Sequence, residues 1–272
     1  MSIIYRTTMA PAKLELLRAW LPTRSWYRPT GRAPELARAG GFRLDDPEGE
    51  VGIEFMVAAD TSGGADPTAY LVPMTYRAAP ARGAQDDLIG TSEHGVLGQR
   101  WIYDATRDPV FAAVLVALIQ GEAQPQAQGQ SHTLDHTVHQ RAVDAPARLV
   151  PAEFTALDGV AVTELSITLA APAPAGHDAA ELAGTVVAGT PGDAAVTPAP
   201  GGPAAPGPGG APGPLIVHVA RVLSATGYAT AGLEPVSLGG LGYVTATWRP
   251  ADGEREVRGV FATAGLGPGD AR

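Results

Sequence analysis

The 272-residue chain contains no cysteine, no asparagine and a single lysine, Lys13, among its 19 basic residues. Without cysteine there is no disulfide, thiolate zinc site, iron–sulfur cluster or thiol nucleophile, and the redox compartment cannot be read from thiol usage. The shortage of lysine and asparagine bears on phosphoryl transfer. A Walker loop ends in Gly-Lys, and a kinase lobe needs a strand lysine beneath the phosphates and an asparagine after its catalytic aspartate. Lys13 falls on a predicted first helix, in neither setting, so autonomous phosphoryl transfer is set aside. Charge is also sparse, at 17%, and the 28 acidic residues outnumber the basic ones to give a net charge of −9. No basic patch offsets that balance, which disfavours nucleic acid as a partner. Long apolar runs are missing too. The longest, Val110 to Ile119, is half of the roughly 20 residues that a bilayer crossing needs. The opening MSIIYRTTMA lacks the apolar core of a secretory signal, so a cytoplasmic location without membrane contact is expected.

What the chain does have is 45% hydrophobic residues, enough for a sizeable core, with 34 Gly and 25 Pro. Thr7 or Thr8 is a candidate N-cap for a first helix, with Pro11 in its first turn. Leu14, Leu17 and Leu21 follow at helical spacing, and Pro22 ends the element. An irregular Arg-bearing stretch leads to Gly40-Gly41. Strands are predicted over Glu50–Ala59 and Ala69–Arg77, joined by the turn-rich segment after Asp60. Residues 78–100 read as a loop, with a short helix around Asp87–Gly90, and Arg100–Tyr103 as a short strand. Asp108-Pro109 opens a second helix, Asp as N-cap and Pro at the first position, ended by Gly121. Its sequence is apolar nearly all round, which predicts burial on most faces.

Beyond a Gln-rich loop, His132–Arg141 and Ala161–Ala170 read as strands. From Ala171 to Pro214 the composition shifts to ten Pro and ten Gly in 44 residues, with one further strand candidate at Leu182–Pro191. Residues 195–214 have too little apolar bulk to pack and read as disordered. Strand patterning resumes over Leu215–Leu223, Leu241–Arg249 and Arg255–Thr263. Those last 58 or so residues are marginal as an independent core. The expected organisation is therefore one domain, residues 1–190, interrupted by a Pro/Gly/Ala linker, 191–214, and completed by strands from 215–272. Such an insertion is cheap, since loop closure costs only about 0.6 kcal/mol per doubling of length.

Several local features resemble one family. They are Trp20-Leu21-Pro22 followed by Trp26-Tyr27, the strand Tyr70 to Arg77, and Leu88-Ile89-Gly90-Thr91 with His94. Trp101-Ile102-Tyr103-Asp104 ahead of the apolar helix, and Gly242 to Trp248, complete the set. The chain is similar to the N-terminal cap domain of maltokinases, over about 1–150 and 215–262, in a stand-alone form of actinobacterial type. The resemblance implies an α+β fold, a curved antiparallel sheet packed by two main helices, somewhat like a cystatin. It also implies a context of maltose, trehalose and glycogen metabolism. In those kinases the cap precedes catalytic lobes that these 272 residues do not include, so a cap without its kinase body is expected.

The remaining motifs carry little chemistry. His132, His136 and His139 have the i, i+4, i+7 spacing of a helical metal site, but Thr133, Thr137 and Val138 favour a strand, on which the three diverge. Gly90-Thr91-Ser92-Glu93-His94-Gly95 lacks the Gly-x-Ser-x-Gly spacing of a nucleophile elbow. Asp86-Asp87 are adjacent, so their side chains point apart, and Gly239-Gly240-Leu241-Gly242 lacks the strand–turn–helix setting of a nucleotide fingerprint. No catalytic, cofactor-binding or metal-binding residue is assigned. The candidate binding or interface residues are His94, Arg100 and Trp101, expected in one loop, with Trp20 and Trp26. Trp20, Trp26, Trp101 and Trp248 are weighed together as a sugar-stacking platform against the more ordinary role of core or junction residues. The expected function is a non-catalytic binding or regulatory module acting through a partner, a sugar kinase or glucan-processing enzyme. Two alternatives stand beside it, a direct binder of maltose or α-glucan and a small enzyme of glucan metabolism.

Overall fold

A computed structural model describes residues 8–64, 67–142, 149–170, 213–224, 241–251 and 255–267. The chain opens with a two-residue strand β1 (Met9–Ala10) and helix α1 (Lys13–Trp20), then runs through strands β2 (Leu36–Asp45), β3 (Gly52–Asp60), β4 (Thr68–Arg77), β5 (Leu88–His94) and β6 (Gly98–Asp104). Helix α2 (Pro109–Ile119) follows, and then the short strands β7 (Gln126–Ala127) and β8 (His139–Ala142). Strands β9 (Pro151–Asp158), β10 (Val162–Leu169), β11 (Leu215–Ala220), β12 (Val222–Leu223), β13 (Gly242–Trp248) and β14 (Val257–Leu266) complete the described elements. The strand candidate at Leu182–Pro191 and nearly all of the 191–214 segment lie outside the described residues.

The expected α+β fold with two main helices is overturned. Among the described residues, 14 strands join one antiparallel sheet and only two short α-helices are present. Three strands escape sequence patterning because glycine or proline interrupts it. Strand β2 carries Gly40-Gly41 at a bulge, β5 carries Gly90, and β9 begins at Pro151. Helix α1 also starts later than its threonines suggest. Met9 and Ala10 are held extended opposite His94 and Glu93, and the first turn is closed by the Ala12 N–H donating to Glu15 Oε2 at 2.7 Å. His132 sits in a turn at φ 54°, so the predicted strand shrinks to β8.

Strand order explains the architecture. The sheet runs β1-β5-β6-β4-β3-β2-β13-β14-β11-β10-β9. After β11 the chain breaks at Arg221 and passes at once into β12, which pairs with β4 through Val222↔Tyr70 and Leu223↔Ala69. Backbone pairing therefore closes a ring through β4, β3, β2, β13, β14 and the β11–β12 strand. The ring is pinned at one pair, Gly40↔Trp248, below which β2 takes β7 and β13 takes β8 as partners. Gly41 is obligatory at this bulge. Its φ is +118°, and a Cβ there would stand 1.8 Å from the Phe55 carbonyl oxygen.

Alternation along β3 and β4 sends side chains into two cores. Ile53, Phe55, Val57 and Leu71 point inward to meet α2, whose Phe111 ring lies 5.3 Å from Phe55. Met56, Ala58, Tyr70, Val72 and Met74 point the other way and are covered by Leu17, Trp20 and Leu21 of the α1 segment and by Trp26. Asp108 caps α2 as the sequence predicts, accepting from the Val110 N–H at 3.0 Å while held by Arg77 at 2.7 and 2.8 Å. Leu16 packs on Gly90 of β5, where a Cβ would meet its Cδ2 at 2.7 Å. The glycine that hides β5 from sequence patterning is what lets α1 lie against it.

Candidate functional site

His94, Arg100 and Trp101 belong to the β5–β6 hairpin rather than to a loop. Register sets Ser92 opposite Arg100 and Thr91 opposite Trp101, so His94 and Arg100 share one face and Trp101 points from the other. His94 is a turn residue. Its Nδ1 accepts from the backbone N–H groups of Val96 and Leu97 at 3.3 and 3.1 Å, and Arg100 Nη2 donates to the Leu97 carbonyl at 2.8 Å. Desolvation and the neighbouring Arg100 charge lower the pKa of His94, which keeps the ring in the neutral form able to accept. The tip that these contacts shape presents Val96, 58% exposed, and Leu97, 43% exposed.

Trp20 and Trp26 do not join that hairpin tip. Both are buried beneath α1, edge to face with centroids 5.8 Å apart, and Trp26 continues onto Tyr70 at 5.9 Å. Trp248 is buried in the other core. None of these three rings offers a face to a sugar in solution.

Two buried charged groups sit where patterning expected apolar strand interior. Glu54, in the middle of β3, accepts from Lys13 Nζ at 2.6 Å, from the Tyr76 hydroxyl and from Gln128 Nε2 at 3.0 Å. Burial alone would raise its pKa, but the lysine charge and these donors outweigh it and hold the carboxyl below the usual range. The single lysine of the chain is thus a fastener of α1 to the sheet. The second group is Arg221, fully buried at the β11–β12 break. Its Nη2 donates to Asp104 Oδ1 and Oδ2 at 2.8 and 2.6 Å and to Thr106 Oγ1 at 2.6 Å, and its Nε donates to Thr163 Oγ1 at 2.6 Å. The guanidinium lies 4.9 Å from the Trp26 ring, and Nη1 has no partner. Asp104 enters the sequence reading only as part of the family resemblance, and Thr106, Thr163 and Arg221 are not among the residues singled out. The available signal was a charge inside an apolar run, LIVHVARVL for Arg221 and IEFMVAA for Glu54, because a buried charge demands a partner.

Both carboxylates are occupied by these structural partners, so neither is placed as a proton donor or acceptor for a substrate. A crevice beside α2, lined by Val116, Ile119, Leu149, Leu215 and Ala264, encloses about 10 Å³, room for one water. No helix among the described residues is long and apolar enough to cross a membrane.

No curated protein matches the chain. Residues 20–108 match the family described as the maltokinase N-terminal cap domain. That third of the chain runs from the last residue of α1 to the N-cap of α2 and contains β2 to β6, the Trp20–Trp26 pair, the hairpin of His94 and Arg100, and Asp104. Residues 20–108 are thus cap-like, similar to a maltokinase N-terminal cap domain.

Proposed function

We propose that this chain is a non-catalytic cap-like module of maltose, trehalose and glycogen metabolism that works in the cytoplasm by docking on a protein partner, a sugar kinase or glucan-processing enzyme. The observation that carries this reading is the match of residues 20–108 to a domain that caps a kinase. Within that span the β5–β6 hairpin supports it, because two apolar side chains, Val96 and Leu97, stand exposed on a turn braced by His94 and Arg100. A rigid apolar tip binds with little ordering cost. The reading also takes residues 1–190 and 215–272 as one domain with 191–214 as a linker, supported by the pairing of β12 with β4.

The test is capture of the partner from native lysate by the tagged full chain, followed by identification. A sugar kinase or glucan-processing enzyme retained by the wild type and lost with Val96→Asp/Leu97→Asp is the expected result. Recovery of no such enzyme, or capture indifferent to the hairpin substitutions, would refute the reading.

A further inference from the structure

The net charge of −9 conceals an asymmetry. Residues 1–44 carry eight basic and two acidic residues, whereas residues 45–272 carry 11 against 26. The fold gathers the basic ones on one face, which corrects the expectation that the chain has no basic patch. Arg38 and Arg43 of β2 stand opposite Ala58 and Glu54 of β3. Ala58 packs beneath α1 and Glu54 bonds to Lys13 of α1, so both arginines lie on the side of the sheet that α1 covers. Arg18 is exposed on the solvent side of α1, next to the buried Leu17. Beyond the helix, the Arg24 guanidinium lies over the Trp20 ring at 4.8 Å, and the Arg28 N–H donates to the Tyr70 hydroxyl at 3.0 Å, which lays that loop against β4. Arg28, Arg32 and Arg38 are exposed, and Arg24 and Arg43 partly so.

This face is left without its counter-charge. Among the described residues none of these six arginines forms an ion pair, whereas Arg77, Arg107, Arg221 and Arg249 each hold a carboxylate. The acidic groups on the same side do not make up the difference. Glu54 and Asp60 are buried, the first taken by Lys13, the second by the Tyr27 hydroxyl and the N–H groups of Glu35 and Ser62. Even with both counted beside the exposed Glu15 and Glu35, seven cations meet four anions. The fold thus maintains a repulsion among like charges that a negative partner would relieve.

The chemistry of the face selects that partner. A membrane-binding surface needs apolar side chains beside its basic ones, and among the described residues no exposed large hydrophobic side chain lies between Lys13 and Arg43. Single-stranded nucleic acid stacks its bases on open aromatic rings, but both tryptophans of this layer are buried. The acidic remainder of the chain also repels a phosphate backbone. Guanidinium forks spread over a sheet-backed surface suit carboxylates presented by another protein. Arg38 is already held in place for this, its Nε and Nη2 donating to Gln128 Oε1 at 2.9 and 2.5 Å. We infer that the α1 face is a docking surface for an acidic protein. The inference rests neither on the hairpin docking proposed above nor on the metabolic context, since it gives only the charge of the surface that this face meets.

The experiment uses fluorescein-labelled poly-L-glutamate as the carboxylate probe and follows its anisotropy as the full chain is added at low salt. Saturable binding that weakens as salt rises is the expected result, reduced about tenfold in Arg18→Glu/Arg28→Glu. Neither side chain makes a hydrogen bond or ion pair among the described residues, so the urea midpoint of this variant should stay near that of the wild type. Arg82→Glu/Arg141→Glu reverses two exposed charges on other elements, the β4–β5 loop and β8, and should bind as the wild type does. Absence of saturable binding, or equal weakening in the two double variants, overturns the inference. So does tighter binding to labelled oligothymidylate, which would make the face a nucleic-acid surface, or partition onto vesicles of phosphatidylcholine and phosphatidylserine, which would make it a membrane surface. Poly-L-glutamate has no apolar side chain to meet Val96 and Leu97. Failure of hairpin-dependent capture therefore sinks the docking reading alone, and failure of poly-L-glutamate binding sinks the acidic-partner inference alone.

Discussion

Arg221→Met tests whether the buried ion pair behaves as a unit. Methionine keeps much of the length and apolar stem of arginine while deleting the guanidinium. The substitution removes three contacts from Nη2 and one from Nε, and it leaves Asp104, 2% exposed, with only the Thr106 N–H at 3.1 Å and hydroxyl at 2.9 Å. Stranding a buried carboxylate costs about 3–5 kcal/mol. Against this, the wild type already carries an unpaired Nη1, whose removal returns about 1 kcal/mol or more. The expected loss is therefore near 3 kcal/mol. Arg221→Met/Asp104→Leu deletes both charges together and should recover at least half of it, because a buried pair replaced by apolar groups is often close to neutral. Urea unfolding followed by tryptophan emission is the assay, since Trp26 lies under the guanidinium. A single variant within about 1 kcal/mol of the wild type, or a double variant as unstable as both singles added, would refute the reasoning.

Three further outcomes follow from the geometry. Gly41→Ala, which drives a methyl group into the Phe55 carbonyl, should cost more than about 4 kcal/mol or abolish folding, while Gly49→Ala, at φ +75° with open space around it, should cost about 1–2 kcal/mol; equal midpoints for the two would be contrary to this geometry. Tyr27 is pushed up to about 12 by burial, the Asp60 charge and its hydrogen bond to Asp60. The folded state therefore favours the neutral phenol, so this contribution to stability is complete below pH 10 and lost as pH rises towards 12. The phenolate absorbance step that disappears in Tyr27→Phe should lie near that value and move down in Asp60→Asn. Lys13→Met should cost about 1–2 kcal/mol, a buried-pair loss reduced because the lysine side chain is 31% exposed. Wild-type Glu54, with its lowered pKa, contributes stability above the ordinary carboxylate range that is lost as pH falls through the folded value. The variant should lack that acid-side loss, and an unchanged acid limb in a stability-versus-pH curve would contradict the assignment.

Some of this architecture is legible without coordinates and some is not, for physical reasons. Helix α2 declares itself because Asp108-Pro109 supplies both the cap and the first position and ten apolar residues follow. The β3–β4 hairpin and strands β10, β13 and β14 are readable from apolar patterning. Strands β2, β5 and β9 are not, since their interruptions by Gly40-Gly41, Gly90 and Pro151 read locally as breaks and make sense only against the partners that need them. The two-helix expectation errs for a related reason. Leu14, Leu17 and Leu21 promise a helix, but not that eight residues suffice to cover one patch of a sheet. At the candidate site, the motif that names His94, Arg100 and Trp101 does reach one hairpin, yet alternation places Trp101 on the face opposite the other two. Trp20 and Trp26 look alike in sequence whether they stack on sugars or on each other. The charge of Arg221 inside an apolar run is visible in the sequence, but its partner Asp104, 117 residues away, is identified only by the fold.

The passage of the chain from β11 into β12 means that the recognisable portion of this protein is not a separable one. Truncation after Asp108 would strip β4 of the neighbour that answers its Leu71 N–H, now bonded to the Arg221 carbonyl at 3.0 Å. A bare strand margin of that kind adheres to its own copies. Anyone isolating the matched stretch alone should expect aggregates, and should supply the downstream residues in trans before judging what the fragment can hold.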